Sequence, residues 1–109
     1  MRHLLIPSLF CIAITSTIPA NAYEGLEQDY AACAQGSGKI ANTKIVAACT
    51  RLIDNSAKKN ALVGSFYALR AIANTDKASN CRDAREALKL LENPNLIKHA
   101  KILEKINCK

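Results

Sequence analysis

The chain has 109 residues, half of them hydrophobic, and its formal net charge at pH 7 is +6. A chain of this length forms one hydrophobic core, and its small size makes covalent cross-links valuable for stability. Its basic residues are not interleaved with aromatic ones and form no DNA-binding motif, so we do not expect a nucleic acid partner.

Residues 1–22 have the pattern of a secretory signal peptide. A basic start precedes an apolar run over residues 4–18, and small residues occupy the positions before a cleavage site after Ala22. The apolar run is shorter than the roughly 20 residues of a membrane-spanning helix. Because Cys11 also lacks a lipid-attachment motif, we expect no stable membrane anchor.

Cleavage after Ala22 leaves residues 23–109 as a single domain, exported to the periplasm or secreted. It removes one of the 15 basic residues and none of the 9 acidic ones, so the net charge becomes +5. Four cysteines remain, and an even number in an exported chain favours two disulfides. They are Cys33, Cys49, Cys81 and Cys108. Separations of 16, 32 and 27 residues lack the close pairs of zinc sites, so we expect no metal and no cofactor.

Apolar residues at helical spacing predict five helices, and no run alternates as a strand would. The predicted helices span residues 24–35, 43–55, 58–75, 80–92 and 95–107. Glycines at 36 and 38 end the first helix, and Pro94 separates the last two because proline lacks a backbone donor. Short connections are typical of antiparallel neighbours. The sequence therefore predicts an all-α domain of five antiparallel helices.

The third predicted helix is the centre of this arrangement. From Asn60 to Ala73 its apolar side chains point in every direction, and Arg70 is its only charge. A helix that is apolar all round must be covered by neighbours. We therefore expect it to be buried.

The last predicted helix is amphipathic. Its inward side is predicted to contain Leu96, Ala100, Leu103 and Ile106, flanked by Ile97 and Ile102. The opposite side has a stripe of lysines, namely Lys98, Lys101, Lys105 and Lys109. A row of like charges attracts opposite charge, so the stripe is a candidate binding surface. An acidic protein, an anionic membrane surface and a cell-wall polymer are its candidate partners, and an ordinary solvent-exposed face is the alternative.

Hairpin geometry suggests which cysteines pair. If the last two helices fold back about Pro94, Cys81 at the start of one lies beside Cys108 at the end of the other. By the same reasoning Cys33 and Cys49 lie on either side of the connection between the first two helices. We therefore predict the disulfides Cys33–Cys49 and Cys81–Cys108.

Three segments carry a resemblance to a repeat family. They are Lys44-Ile-Val-Ala-Ala-Cys-Thr-Arg-Leu-Ile-Asp54, Tyr67-Ala-Leu-Arg-Ala-Ile-Ala73 and Ala84-Arg-Glu-Ala-Leu-Lys-Leu90. Over about residues 29–92 the chain resembles the tetratricopeptide-like repeats of secreted bacterial proteins, although their Trp-x2-Leu-Gly-x2-Tyr signature is absent. The resemblance implies a right-handed stack of helix pairs that binds other proteins.

Residues with catalytic potential are isolated from one another. His99, the only histidine after the leader, has no ligand or carboxylate at a useful spacing. Gly36-Ser37-Gly38 is not a nucleophile elbow, and we interpret it as a linker. Asp83 and Glu86 stand one turn apart beside basic residues, which indicates a solvated face of ion pairs rather than an acid–base pair. We expect no enzyme activity.

The sequence favours a non-catalytic, protein-binding module of the bacterial envelope. A sharper version of this hypothesis is an inhibitor or immunity-type protein that blocks a partner enzyme. The alternative is a structural or stress-related envelope protein without a fixed partner.

Overall fold

The computed structural model describes residues 23–36 and 38–109. Within them the chain forms five helices and no strand: α1 Leu26–Gln35, α2 Asn42–Asp54, α3 Ala61–Ala73, α4 Lys77–Leu90 and α5 Pro94–Asn107. For these described residues, the prediction of an all-α fold with five helices is confirmed. The predicted signal peptide and Ser37 lie outside the described residues.

Side-chain caps fix where three of the helices begin. Asn60 accepts a hydrogen bond from the backbone N–H of Val63 (3.1 Å), so α3 begins at Ala61 rather than at residue 58. Asp76 accepts one from the N–H of Ser79 (3.0 Å), which starts α4 three residues earlier than predicted. Asn93 caps α5, whose first position is a proline.

Each helix packs against the next one, and α3 also contacts α1 and α5. Asp29 in the first turn of α1 pairs with Arg51 in the last turn of α2, so these two helices run antiparallel. The side-chain amide of buried Asn80 donates to the carbonyl oxygen of Asn74 (2.7 Å) and ties α4 to the end of α3. Because α3 contacts α2 and α4, which adjoin it in the chain, and also α1 and α5, it is the central helix.

The main core lies among α1, α2 and α3. Phe66 is buried there, and Tyr30 meets it edge to face with ring centroids 5.8 Å apart. A smaller cluster joins the end of α4 to α5 around Ala87 and Ala100, both fully buried. These alanines allow the two helices to approach closely, as does Gly64 between α3 and α4.

The two disulfides have the predicted pairing. Cys33 is bonded to Cys49 and links α1 to α2, while Cys81 is bonded to Cys108 and links the start of α4 to the end of α5. The Cα atoms are 4.9 Å apart in both. The two disulfides join residues that are 16 and 27 positions apart. In the chain-entropy description each contributes about 3 kcal/mol to the free energy of unfolding, a large share of the stability of a small domain.

The prediction that the third helix is buried all round is wrong. Leu62 and Ile72 are 48% and 59% exposed. Because α2 and α4 pack on one side of α3 and only its flanks meet α1 and α5, one face of α3 has no covering helix within the described residues.

The predicted inward side of the last helix is also wrong in part. Ala100 is buried, but Leu96, Ile102 and Ile106 are exposed. The physical reason is that, among the described residues, α5 packs mainly against α4 and less extensively against α3, which cover only one side of it.

Candidate functional site

The exposed face of α3 is the first candidate surface. Leu62, Ser65, Leu69 and Ile72 follow one another at intervals of three or four residues and so lie on one side of the helix. We call these four residues the α3 apolar face. Two grooves flank it, one towards α5 and one towards α1.

The groove between α3 and α5 has a volume of about 310 Å³. Its walls are almost entirely apolar. The lining residues are Ser65, Ala68, Leu69, Ile72, Leu91, Leu96, His99 and Leu103. His99, which the sequence left isolated, is exposed at the rim of this groove. An imidazole among leucines can contribute one polar contact to a bound apolar surface.

The groove between α1 and α3 has a volume of about 210 Å³ and is more polar. Asn55 and Ser56, at the end of α2, line it together with apolar and aromatic residues. The others are Tyr23, Leu26, Tyr30, Leu52, Leu62 and Phe66. Tyr30 is 43% exposed, so its ring is available to a partner at the edge of the core.

The sequence did not identify this surface because its residues look like core residues. The apolar pattern of α3 shows that the helix avoids water, but it does not show how many neighbours will cover it. The number of covering helices depends on tertiary packing, which the apolar pattern of one helix does not encode.

Three lysines of the predicted stripe lie on the outside of α5, and Lys109 follows the end of the helix. All four lysines are exposed. Lys98, Lys101 and Lys105 surround Ile102 along a shallow depression of about 540 Å³ that Pro94 and Ile97 complete. We call the four lysines together with Ile102 and Ile106 the α5 outer face.

Asp83 does not lie on a solvated face, which corrects the prediction made for it. It is buried and accepts two hydrogen bonds from Arg70, from Nε at 2.8 Å and from Nη2 at 2.7 Å. Arg70 also donates to the hydroxyl of Thr50 (3.0 Å) and stacks on Tyr67, with Cζ 5.5 Å from the ring centroid. The bond to Asp83 raises the pKa of Arg70. Glu86 does pair in solvent, with Lys89 at 2.7 Å.

The Arg70–Asp83 pair closes one wall of a polar cavity of about 270 Å³ between α2, α3 and α4. Arg70 uses three nitrogens on Asp83 and Thr50, so its charge is already compensated. Thr50 in turn donates to the carbonyl oxygen of Val46 (2.8 Å). The arrangement clamps three helices together.

A second carboxylate–guanidinium pair joins α1 to α2. Arg51 donates to Asp29 through Nε (2.9 Å) and Nη2 (2.7 Å), and the Tyr23 hydroxyl donates to the same carboxylate (2.7 Å). The bonds from Arg51 hold the pKa of Asp29 below its usual value. Burial and the bond to Asp29 raise the pKa of Tyr23 to about 12.

Within residues 23–36 and 38–109, no group of three or more His, Cys, Asp or Glu side chains could hold a metal ion. Among the same residues, none of the helices is long and apolar enough to cross a membrane. Comparisons with protein-family models, with curated proteins and with solved structures gave no match to this chain. The geometry therefore defines the class: a disulfide-bonded, all-α domain with an apolar surface on its central helix.

Proposed function

We propose that this chain is an exported, non-catalytic module that binds another protein through the α3 apolar face. One observation carries the proposal: the central helix exposes Leu62 and Ile72 between two grooves that are themselves largely apolar. A contiguous exposed apolar surface is a common mark of a protein–protein interface.

The rigidity of the domain supports the same proposal. Disulfides fix α1 to α2 and α4 to α5, and the buried pair of Arg70 and Asp83 fixes α3 to α4. A surface held in one conformation loses little conformational entropy when it binds. This property suits the sharper form of the proposal, an inhibitor or immunity-type protein that blocks a partner enzyme.

The order of helix contacts supports the tetratricopeptide-like interpretation. Helices α1, α3 and α5 contact one another in turn, and each is also joined to α2 or α4. That is the pattern expected when helix pairs stack, and the right-handed sense of the proposed stack is what the resemblance to the repeat family implies. The α3 apolar face then lies on the side formed by α1, α3 and α5.

A pull-down from periplasmic extract with quantitative mass spectrometry tests the function. The bait is the tagged protein after export, and the test variant is Ile72→Asp on the α3 apolar face. Ile40→Asp is the matched control, because it makes the same change at an exposed isoleucine that lies between α1 and α2, outside both the α3 apolar face and the α5 outer face. We expect one stoichiometric partner, at least about tenfold depleted with Ile72→Asp, since a charge would be buried in the interface, and unchanged with Ile40→Asp.

Two results would contradict the proposal. Equal recovery of the partner by both variants would place binding elsewhere, and no stoichiometric partner at all would favour the structural or stress-related alternative. Circular dichroism melts of both variants check that each remains folded.

A further inference from the structure

The α5 outer face carries a concentration of uncompensated positive charge. Lys98, Lys101, Lys105 and Lys109 are exposed, and none forms an ion pair with any residue in the described part of the chain. Between residues 94 and 109 the one acidic residue is Glu104, which lies 3.4 Å from Arg85 on α4. The lysines therefore attract anions without local competition.

Exposed isoleucines stand among these lysines. Ile102 and Ile106 are 48% and 54% exposed and lie one turn apart. Ile102 is also one turn from Lys98 and from Lys105, so apolar and basic side chains share the same side of the helix. The opposite side of α5, centred on Ala100, packs against the domain and holds the helix in place.

We propose that the α5 outer face binds reversibly to an anionic phospholipid surface. Lysine side chains have flexible apolar stems, so their ammonium groups can reach lipid phosphates while Ile102 and Ile106 enter the headgroup boundary. This combination of basic and apolar residues on one helix face is what an interfacial helix requires. The inference is independent of the α3 apolar face and of its partner.

Two other occupants fit the face less well. A second copy of the chain would bring two rows of lysines together, and like charges in contact oppose association. An acidic protein would satisfy the lysines, but this face is formed by a single helix with only a shallow depression, whereas a lipid surface needs no shaped pocket. Charge complementarity together with the isoleucines therefore favours lipid.

Vesicle co-sedimentation tests the inference directly. The exported protein, confirmed by mass spectrometry to lack residues 1–22, is mixed with phosphatidylglycerol–phosphatidylcholine vesicles or with vesicles of phosphatidylcholine alone. We expect binding to the first and none to the second. Binding should weaken as salt is raised, because charges more than about 10 Å apart are screened at 0.1 M salt.

Two triple variants with the same net charge distinguish binding by the α5 outer face from adsorption driven by the overall positive charge of the protein. The first is Lys98→Gln/Lys101→Gln/Lys105→Gln, and the control is Lys39→Gln/Lys44→Gln/Lys58→Gln, which removes three exposed lysines elsewhere. Each lysine near an anionic surface is worth about fivefold in affinity, so we expect a loss of about a hundredfold in the first variant and little in the control. A third variant, Ile102→Ser/Ile106→Ser, should also weaken binding while leaving the charge intact.

Three outcomes would overturn the inference. Equal losses in the two lysine variants would show that net charge drives adsorption, and equal binding to both vesicle types would show that lipid charge is irrelevant. Failure to bind vesicles, combined with lysine-dependent binding to polyglutamate, would assign the face to an acidic protein.

Discussion

At the scale of single residues, Asp83 and Glu86 show that sequence spacing alone does not tell a buried ion pair from an exposed one. They lie one turn apart on α4 among the same basic neighbours, yet Asp83 is buried against Arg70 and Glu86 meets Lys89 in solvent. Spacing cannot show which side of α4 turns towards α3. A signal did exist, because a lone arginine within an apolar helix requires a carboxylate partner.

Removing Asp83 should therefore be far more damaging than removing Glu86. Asp83→Ala leaves the largely buried guanidinium of Arg70 unpaired, and we expect a loss of about 3–5 kcal/mol in the free energy of unfolding. Glu86→Ala, the matched control on the same helix, should cost less than about 1 kcal/mol because its ion pair is exposed. Urea denaturation under oxidising conditions measures both.

The apolar double variant Arg70→Met/Asp83→Leu separates charge burial from packing. It should recover much of the stability lost in Asp83→Ala, because no unpaired charge remains. Similar losses in Asp83→Ala and Glu86→Ala would contradict this account of the pair.

The pair of Asp29 and Arg51 predicts a pH dependence of stability. The folded-state pKa of Asp29 lies below the unfolded value of 3.8, so its stabilising effect is complete above that value and disappears as pH falls through the folded pKa. Asp29→Asn should be less stable than the parent at neutral pH, and only modestly so because Arg51 is exposed to solvent. Thermal melts from pH 7 to about pH 2 should show the two proteins converging in acid. A constant difference at every pH would contradict the assignment.

At the scale of helices, the sequence predicted the number and type of elements but not all their ends. The prediction started α4 at residue 80, near a run of capping residues, whereas Asp76 provides the cap and Asn80 is buried inside the helix. Several cap-type residues in succession leave the choice open, and packing against α3 decides it. The hairpin about Pro94 was predictable because proline lacks a backbone donor and biases the residue before it away from helix, which ends α4 there.

Gly64→Ala should change the stability of the protein in the direction opposite to that expected from helix propensity. Alanine should favour an isolated helix by about 1 kcal/mol over glycine. At position 64, however, a Cβ atom would lie 2.9 Å from the Cβ of Leu90 and 3.2 Å from the backbone nitrogen of Leu91. We therefore expect Gly64→Ala to destabilise the protein by about 1–3 kcal/mol, because α3 must move away from the end of α4.

Denaturation of Gly64→Ala beside Ser65→Ala checks this prediction. Ser65 is the next residue on α3 but lines the open groove towards α5, so its replacement should change stability little. A Gly64→Ala protein more stable than the parent would show that α3 and α4 are not in close contact.

At the scale of the whole molecule, the sequence predicted the disulfide pairing better than the exposed surface. Pairing follows from chain geometry, since an antiparallel hairpin brings Cys81 beside Cys108 with no further information. Exposure depends on how many helices surround each face. In the described part of the chain, no helix packs over the α3 apolar face, and α5 is covered only on the side that meets α4 and α3, which leaves its isoleucines exposed.

The central claim is that the α3 apolar face binds a protein partner. The most direct measurement is site-specific photo-crosslinking in intact cells, with a photoreactive amino acid in place of Ile72. Lys89 is the control position, because it is exposed and lies on α4, which packs against the side of α3 away from its apolar face. We predict one discrete covalent adduct from position 72 and none from position 89. Identical adducts from both positions, or no adduct from position 72, would contradict the claim.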